Sequence, residues 1–161
     1  MSTTAPSARP GRRLGLLRVA LDQALGSVED EVGRRHPALR RAHLLIFRFG
    51  TIDGRHTSDL AAHTGMTKQS MHEIVTHLEK NGYLRRRPDP ADSRALLVHL
   101  TPRGRALERQ ILSAVADVLE SWRDRVGTRE FDAMWATLQK ITGETGELPD
   151  LAELRRAPAE R

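Results

Sequence analysis

A mainly α fold with one small β-hairpin is what the sequence predicts, and three observations predict it. Apolar residues recur at helical spacing along most of the chain. Between Thr57 and Gly82 two short helical patterns are joined by a turn of about four residues containing Gly65, the sequence form of a helix-turn-helix. Directly after it, two runs that read as strands, Tyr83 to Arg87 and Ala95 to Leu100, flank the segment PDPADS, whose prolines and aspartates favour a turn. A helix-turn-helix followed by such a hairpin is a winged helix-turn-helix, here set between N- and C-terminal helices.

Composition narrows the function classes. The 161 residues suffice for one small domain with an oligomerisation arm and not for two enzymatic lobes. The sequence holds no apolar run near the roughly 18 residues a membrane span needs and no signal-type stretch after Met1, so no membrane partner is expected and the location is cytoplasmic. The absence of cysteine excludes disulfides, thiolate metal sites and cysteine redox sensing. A net charge of +5 and a pI near 10.6 favour polyanionic partners. Most of that excess sits between Tyr83 and Arg105, where Arg85, Arg86, Arg87, Arg94, Arg103 and Arg105 face two aspartates, Asp89 and Asp92.

In chain order, residues 1–12 lack periodicity and read as a disordered tail. An N-terminal helix over 13–36 carries Leu14, Leu17, Leu21, Leu25, Val28 and Val32 in one narrow stripe, which suits a helix–helix seam, and Gly33 with His36-Pro37 ends it. A second helix is expected from Ala38 to Phe49 with Leu39, Ala42, Leu45, Ile46 and Phe49 on its inner side, followed by a turn, GTIDGR. Thr57 or Ser58 caps the next helix, with Leu60 and Ala61 inward and Gly65 closing it. Thr67 is a natural N-cap for a helix over 67–81, with Met71, Ile74, Val75 and Leu78 inward and Asn81-Gly82 at its end. The wing spans 83–100, and the winged helix-turn-helix as a whole 37–101. Thr101-Pro102 then starts a long helix with Leu107, Ile111, Val115, Val118, Trp122 and Val126 on one face. A last helix from Thr128 places Phe131, Met134, Trp135, Leu138 and Ile141 inward; 144–161 is a polar tail in which Leu148, Leu151 and Leu154 have room for one short helix.

The N-terminal helix and the helices over 102–143 hold more apolar surface than so small a core can cover, so they are expected to bury one another across a two-fold axis. Leu14, Leu17, Leu21, Leu25, Trp122 and Trp135 are the candidate dimerisation residues.

The outer face of the 67–81 helix has the chemistry a DNA groove requires. Lys68 suits phosphate or guanine, Gln69 adenine, and Ser70 a base or the backbone; Thr67, His72, Glu73 and Thr76 complete the exposed set. Any amphipathic helix shows a polar outer face, so it is the adjoining hairpin that gives this one its meaning. An acid such as Glu73 facing phosphate is repulsive unless it reads a cytosine amino group or pairs with a neighbour.

Competing chemistry is weaker. His56, Asp59 and His63 match no zinc spacing, and His72-Glu73 with His77 places the histidines about 140° apart around a helix rather than the about 40° that H-E-x-x-H needs, so no metal is expected. No nucleophile elbow and no glycine-rich phosphate loop is present, and Asp89 and Asp92 lack an apolar wall, so neither an enzyme nor a cofactor is expected.

The segment MTKQSMHEIVTHLEKNGYLRRRPDPADSRALLVHLTPRGRAL resembles the recognition helix, wing and following helix start of the MarR family of bacterial transcription regulators. Asp89-Pro90-Ala91-Asp92-Ser93-Arg94 matches the family's D-P-x-D-x-R wing motif, and Leu100-Thr101-Pro102-Arg103-Gly104 its L-T-x-x-G exit into the dimer helix. The resemblance covers Thr57 to about Leu107. It implies a ligand-responsive repressor that binds a pseudo-palindromic double-stranded DNA operator as a homodimer, with Arg86, Arg87, Asp92 and Arg94 in the wing's contact and Arg94 entering a groove. It also implies a small-molecule effector of the aromatic or phenolic acid class, held between dimer helices and DNA-binding head, where His43 and Phe47 are the candidates. The readings from other classes are a sequence-tolerant architectural DNA binder and a winged-helix protein-interaction module.

Overall fold

The computed structural model describes residues 12–47, 52–143, 146 and 151–152. The expected tail over 1–12 lies outside the described residues except for Arg12, as do Phe49, Leu148 and Leu154.

Helix α1 (Arg12–Arg35) is 24 residues long and runs through Gly33, so the chain turns at His36-Pro37, where proline cannot continue the ladder. Its stripe has two halves. Val28 and Val32 are buried against the later helix α5, while Leu14 is 72% and Leu17 59% exposed. Leu16 and Val19, outside the expected stripe, are exposed too, so the apolar surface of this half is broader than a single seam.

The second helix is much shorter than the expected Ala38–Phe49. Helix α2 covers only Arg41–Leu44 and tightens into a 3-10 turn, Leu45–Phe47. Leu39, Ile46 and Phe47 are buried, but Ala42 is exposed and Leu45 half-buried. The tighter turn changes which residues face inward.

A third strand replaces part of the expected GTIDGR turn. Strand β1 (Arg55–His56) pairs antiparallel with β3 (Leu96–Leu100), and β3 pairs with β2 (Leu84–Pro88), giving the order β1-β3-β2. Two residues are too few to show an alternating pattern. What holds β1 in place is the turn before it: the Leu100 amide donates to Asp53 Oδ1 at 2.7 Å, and the Gly54 amide to the Val98 carbonyl at 2.9 Å. The same Asp53 carboxylate meets Arg105 at 2.6 Å, tying this turn to the helix after the wing.

Helix α3 (Thr57–Thr64) has His56 as N-cap rather than the expected Thr57 or Ser58, and ends at Gly65 in the left-handed region. Helix α4 (Lys68–Lys80) begins at Thr67, whose hydroxyl oxygen accepts from the Ser70 amide at 3.1 Å. Met71, Ile74, Val75 and Leu78 are buried as its periodicity requires. They join Leu60, Ile52, Leu84, Val98, Leu107 and Ile111 in one core.

Helix α5 (Pro102–Val126) is capped by Thr101, which accepts from the Gly104 amide at 3.0 Å while its hydroxyl donates to the Gly82 carbonyl at 2.6 Å. Its first half enters the core as far as Ala114, with Val115 and Val118 packed against it. Gly127 turns the chain into α6 (Thr128–Thr142), where the expected inward set is not all inward. Phe131 is buried and packs edge-on against half-buried Trp135, but Met134 is exposed and Ile141 is 75% exposed. Within one chain these side chains have nothing to cover them. Leu151 is buried and helical with Ala152.

Glu108 lies on the half-buried side of α5, near Asp53. Burial and the nearby Asp53 carboxylate raise its pKa, against the opposing pull of Arg105 and Arg109. A carboxyl with a raised native pKa contributes stability that is fully present below about pH 4.5 and is lost as pH rises through the native value. Glu108→Gln should therefore raise the thermal midpoint at neutral pH, with the gain shrinking to nothing as pH falls below about 4.5. Melting curves across that range check the sign.

Candidate nucleic-acid interface

Helix α4 sets the site. At about 100° per residue, its buried stripe leaves Gln69, Glu73, Thr76 and Lys80 at the centre of the opposite face, with His72 beside them and Lys68 at the edge near the stripe. All six are exposed. Ser70 is half-buried and engaged in the cap, receiving a hydrogen bond on its Oγ from the Thr67 hydroxyl at 2.9 Å. Glu73 is not alone: it accepts from Gln69 Nε2 at 3.3 Å, one helical turn away.

The wing is pinned to this helix by Arg86. Its Nη1 donates to Glu79 Oε2 at 2.6 Å, its backbone amide to Glu79 Oε1 at 3.0 Å, and its Nη2 to Thr76 Oγ1 at 3.0 Å. Arg86 therefore points at α4, while Arg85 and Arg87 are exposed. The signal for this lay in the sequence. Leu84 is inward on β2, and a period of two places Arg86 on the same side. Arg86 pairs across the sheet with Val98, which is fully buried.

The wing tip is shaped by its aspartates. Asp89 Oδ1 accepts from the Ala91 amide at 2.8 Å, and Asp92 Oδ1 from the Arg94 amide at 3.0 Å, the side-chain turn closures that make Asp frequent at such positions. Asp92 thus fixes the backbone of Arg94. Asp89 reaches across to His56 Nε2 at 3.2 Å, anchoring the hairpin to β1. The exposed Arg94 guanidinium shows no hydrogen bond or ion pair among the described residues.

The base of the wing is tied to the helical arms. Tyr83, almost fully buried, sits just before β2; Arg103 Nη2 donates to its hydroxyl at 3.1 Å and lies over its ring. That hydroxyl is 2.8 Å from His36 Nδ1, and His36 Nε2 is 2.7 Å from Gln110 Oε1. The simplest proton arrangement is Tyr83 donating to Nδ1 and Nε2 donating to Gln110. One polar chain thus runs from the end of α1 through the wing base to α5.

The effector candidates His43 and Phe47 sit in different surroundings. Phe47 is buried in the core. His43 stacks on His77 at 4.0 Å, accepts from the Arg40 amide at 3.0 Å on Nδ1, and has its pKa lowered by burial, by His77 and by Arg40. A cavity of about 510 Å³ lies between α1 and α5, lined by Glu31, Val32, Arg35, Arg109, Gln110 and Asp117 among others. Neither His43 nor Phe47 lines it. Among the described residues no cluster of three or more His, Asp or Glu is placed to hold a metal ion, and no helix is long and apolar enough to cross a membrane.

Residues 39–95 match the MarR family model. No curated protein matches the chain. Among solved structures, it is similar to a MarR-family transcriptional regulator from Rhodococcus sp. RHA1, at 23% identity and a TM-score of 0.67 over 88% of this chain and 100% of that one. It is also similar to CouR from Rhodococcus jostii RHA1, solved bound to p-coumaroyl-CoA, at 23% identity and a TM-score of 0.64 over 91% and 100%. BpsR of Bordetella bronchiseptica, whose DNA binding is regulated by 6-hydroxynicotinic acid, aligns at 22% identity and a TM-score of 0.64 over 81% and 98%. These likenesses give the fold, and MarR-family members are transcription regulators rather than enzymes. The family model thus matches the DNA-binding head, residues 39–95, and the solved structures share a winged-helix fold that extends through the flanking helices.

Proposed function

We propose that this chain is a ligand-responsive transcriptional repressor that binds a pseudo-palindromic operator as a homodimer in the cytoplasm. The observation that carries this reading is the continuity of the exposed face of α4 with an arginine-bearing wing, the two held in register by Arg86, Glu79 and Thr76. Lys68, Gln69 and His72 enter the major groove, Arg87 and Arg94 meet the flanking backbone and groove, and Arg86 and Asp92 position them. The head over 37–101 reads DNA, and the arms over 13–36 and 102–143 form the dimer. The exposed Leu14, Leu17 and Leu21 of α1 and Ile141 of α6 support that assembly, because they are apolar surfaces that water would otherwise cover.

The effector is an organic acid. Arg35 and Arg109 line the cavity between α1 and α5, where they offer a carboxylate hydrogen-bond donors although Glu31 and Asp117 line it too, and Gln110 on the same wall connects through His36 to the wing base. CouR is solved bound to p-coumaroyl-CoA and the DNA binding of BpsR is regulated by 6-hydroxynicotinic acid, and both compounds fit the same class.

The test is selection of genomic fragments bound by the protein, with and without a panel of aromatic acids, at one fixed salt concentration. The expected result is a symmetric motif bound at least about a thousandfold more tightly than random duplex, and released by one of the acids. A specific-to-non-specific ratio near one removes the regulator reading in favour of sequence-tolerant DNA packaging. In sedimentation, Leu17→Glu is expected to shift the protein toward monomer, since it places a charge on an apolar contact; an unchanged sedimentation coefficient would place the interface elsewhere.

A further inference from the structure

We propose that Gln69 and Glu73 act as one reading unit that selects cytosine at a defined position of each operator half-site. This rests on the reading of α4 as the groove helix. The two residues lie at the centre of the face opposite the buried stripe, where a helix seated in a groove meets base edges. Gln69 Nε2 donates to Glu73 Oε1, and the carboxylate, an acceptor only, fixes which end of the amide points at it. What the pair turns outward is therefore rich in acceptors: Glu73 Oε2 and Gln69 Oε1, with one amide hydrogen of Gln69 to spare.

A carboxylate is tolerated in the major groove only opposite a donor. Guanine presents N7 and O6, thymine O4, and adenine an amino group next to the N7 acceptor; each places an acceptor against Glu73. Cytosine offers its N4 amino group with an acceptor, the paired guanine O6, on one side only and its C5 hydrogen on the other, whereas the adenine amino group lies between two acceptors, so cytosine is the base that suits a carboxylate best. Phosphate is excluded for the same electrostatic reason, while Lys68 on the flank of the same face is available for it. Glu73 thus costs general affinity and adds discrimination, because desolvating it without an amino partner is unfavourable.

The test compares motifs selected from random duplexes by the full-length protein, Glu73→Gln and Gln69→Ala. Glu73 and Gln69 are exposed, so each variant is expected to keep the wild-type melting curve. The wild type should show one cytosine per half-site whose replacement weakens binding about 10- to 100-fold. In Glu73→Gln that penalty should fall to within about threefold, with adenine now accepted, since an amide supplies both donor and acceptor. Gln69→Ala should show an intermediate loss, the carboxylate having lost its tether. A selected motif whose base preferences are identical in Glu73→Gln overturns the pairing proposal while leaving the regulator reading intact. Failure of the wild type to enrich any motif overturns both.

Discussion

Gly104→Ala is expected to lower the stability of the protein by about 2–3 kcal/mol and to weaken DNA binding with it. A Cβ at this position would stand 2.0 Å from the Tyr83 carbonyl oxygen, 3.1 Å from the Tyr83 carbonyl carbon and 3.0 Å from a methyl of Leu100. The first obstacle is backbone, so no rotamer change relieves it. Alanine's better helix propensity returns about 1 kcal/mol at most, which the clash exceeds. The carbonyl cannot retreat freely, because it accepts from the Thr101 amide at 3.1 Å and belongs to the residue that starts the wing. The first turn of α5 must instead move away, loosening the Thr101 cap and the Tyr83–His36 contact together. For a chain of this size the melting point should fall by about 4–12 °C. A fall of less than about 1 °C would show that α5 and the wing base are free to separate. The glycine of the L-T-x-x-G segment is thus a close-approach residue.

Arg94→Ala should reduce operator affinity about 10- to 100-fold, or roughly 1–3 kcal/mol, without changing the melting curve. Its guanidinium is exposed, and its backbone hydrogen bond to Asp92 survives the substitution, so the turn persists. Arg86→Ala is the contrasting variant. Its guanidinium is largely shielded and bridges Glu79 and Thr76, so its loss should cost about 1–2 kcal/mol of stability as well as affinity. Comparing equilibrium binding with thermal melts separates the contact residue from the positioning residue. Unchanged binding by folded Arg94→Ala protein would remove the wing tip from the mechanism.

Helix α4 was legible to the residue at its start because its signals are local. The Thr67 cap, the 3.6-residue stripe and the Asn81-Gly82 exit all act within one or two turns of chain. The wing turn was legible for the same reason, since Asp89 and Asp92 bond to amides two residues ahead. The second helix was misjudged because an apolar pattern cannot distinguish an α-helix from a chain that tightens to 3-10 at Leu45. Strand β1 was missed because its two residues owe their conformation to a partner some forty positions away. Alternation along β2 marks Arg86 as inward and Arg85 and Arg87 as outside, but the partners of Arg86, Glu79 and Thr76, follow only from how β2 packs on α4.

By itself, then, the sequence determined the winged helix-turn-helix, its caps and its turns, because these depend on hydrogen bonds and periodicities between near neighbours. Only the tertiary structure decided what Arg86, Glu79, Asp53, Tyr83 and His36 do. Each bonds to a group brought close by the packing of α4, the sheet and α5 on one another, and the local pattern along the chain does not name that partner.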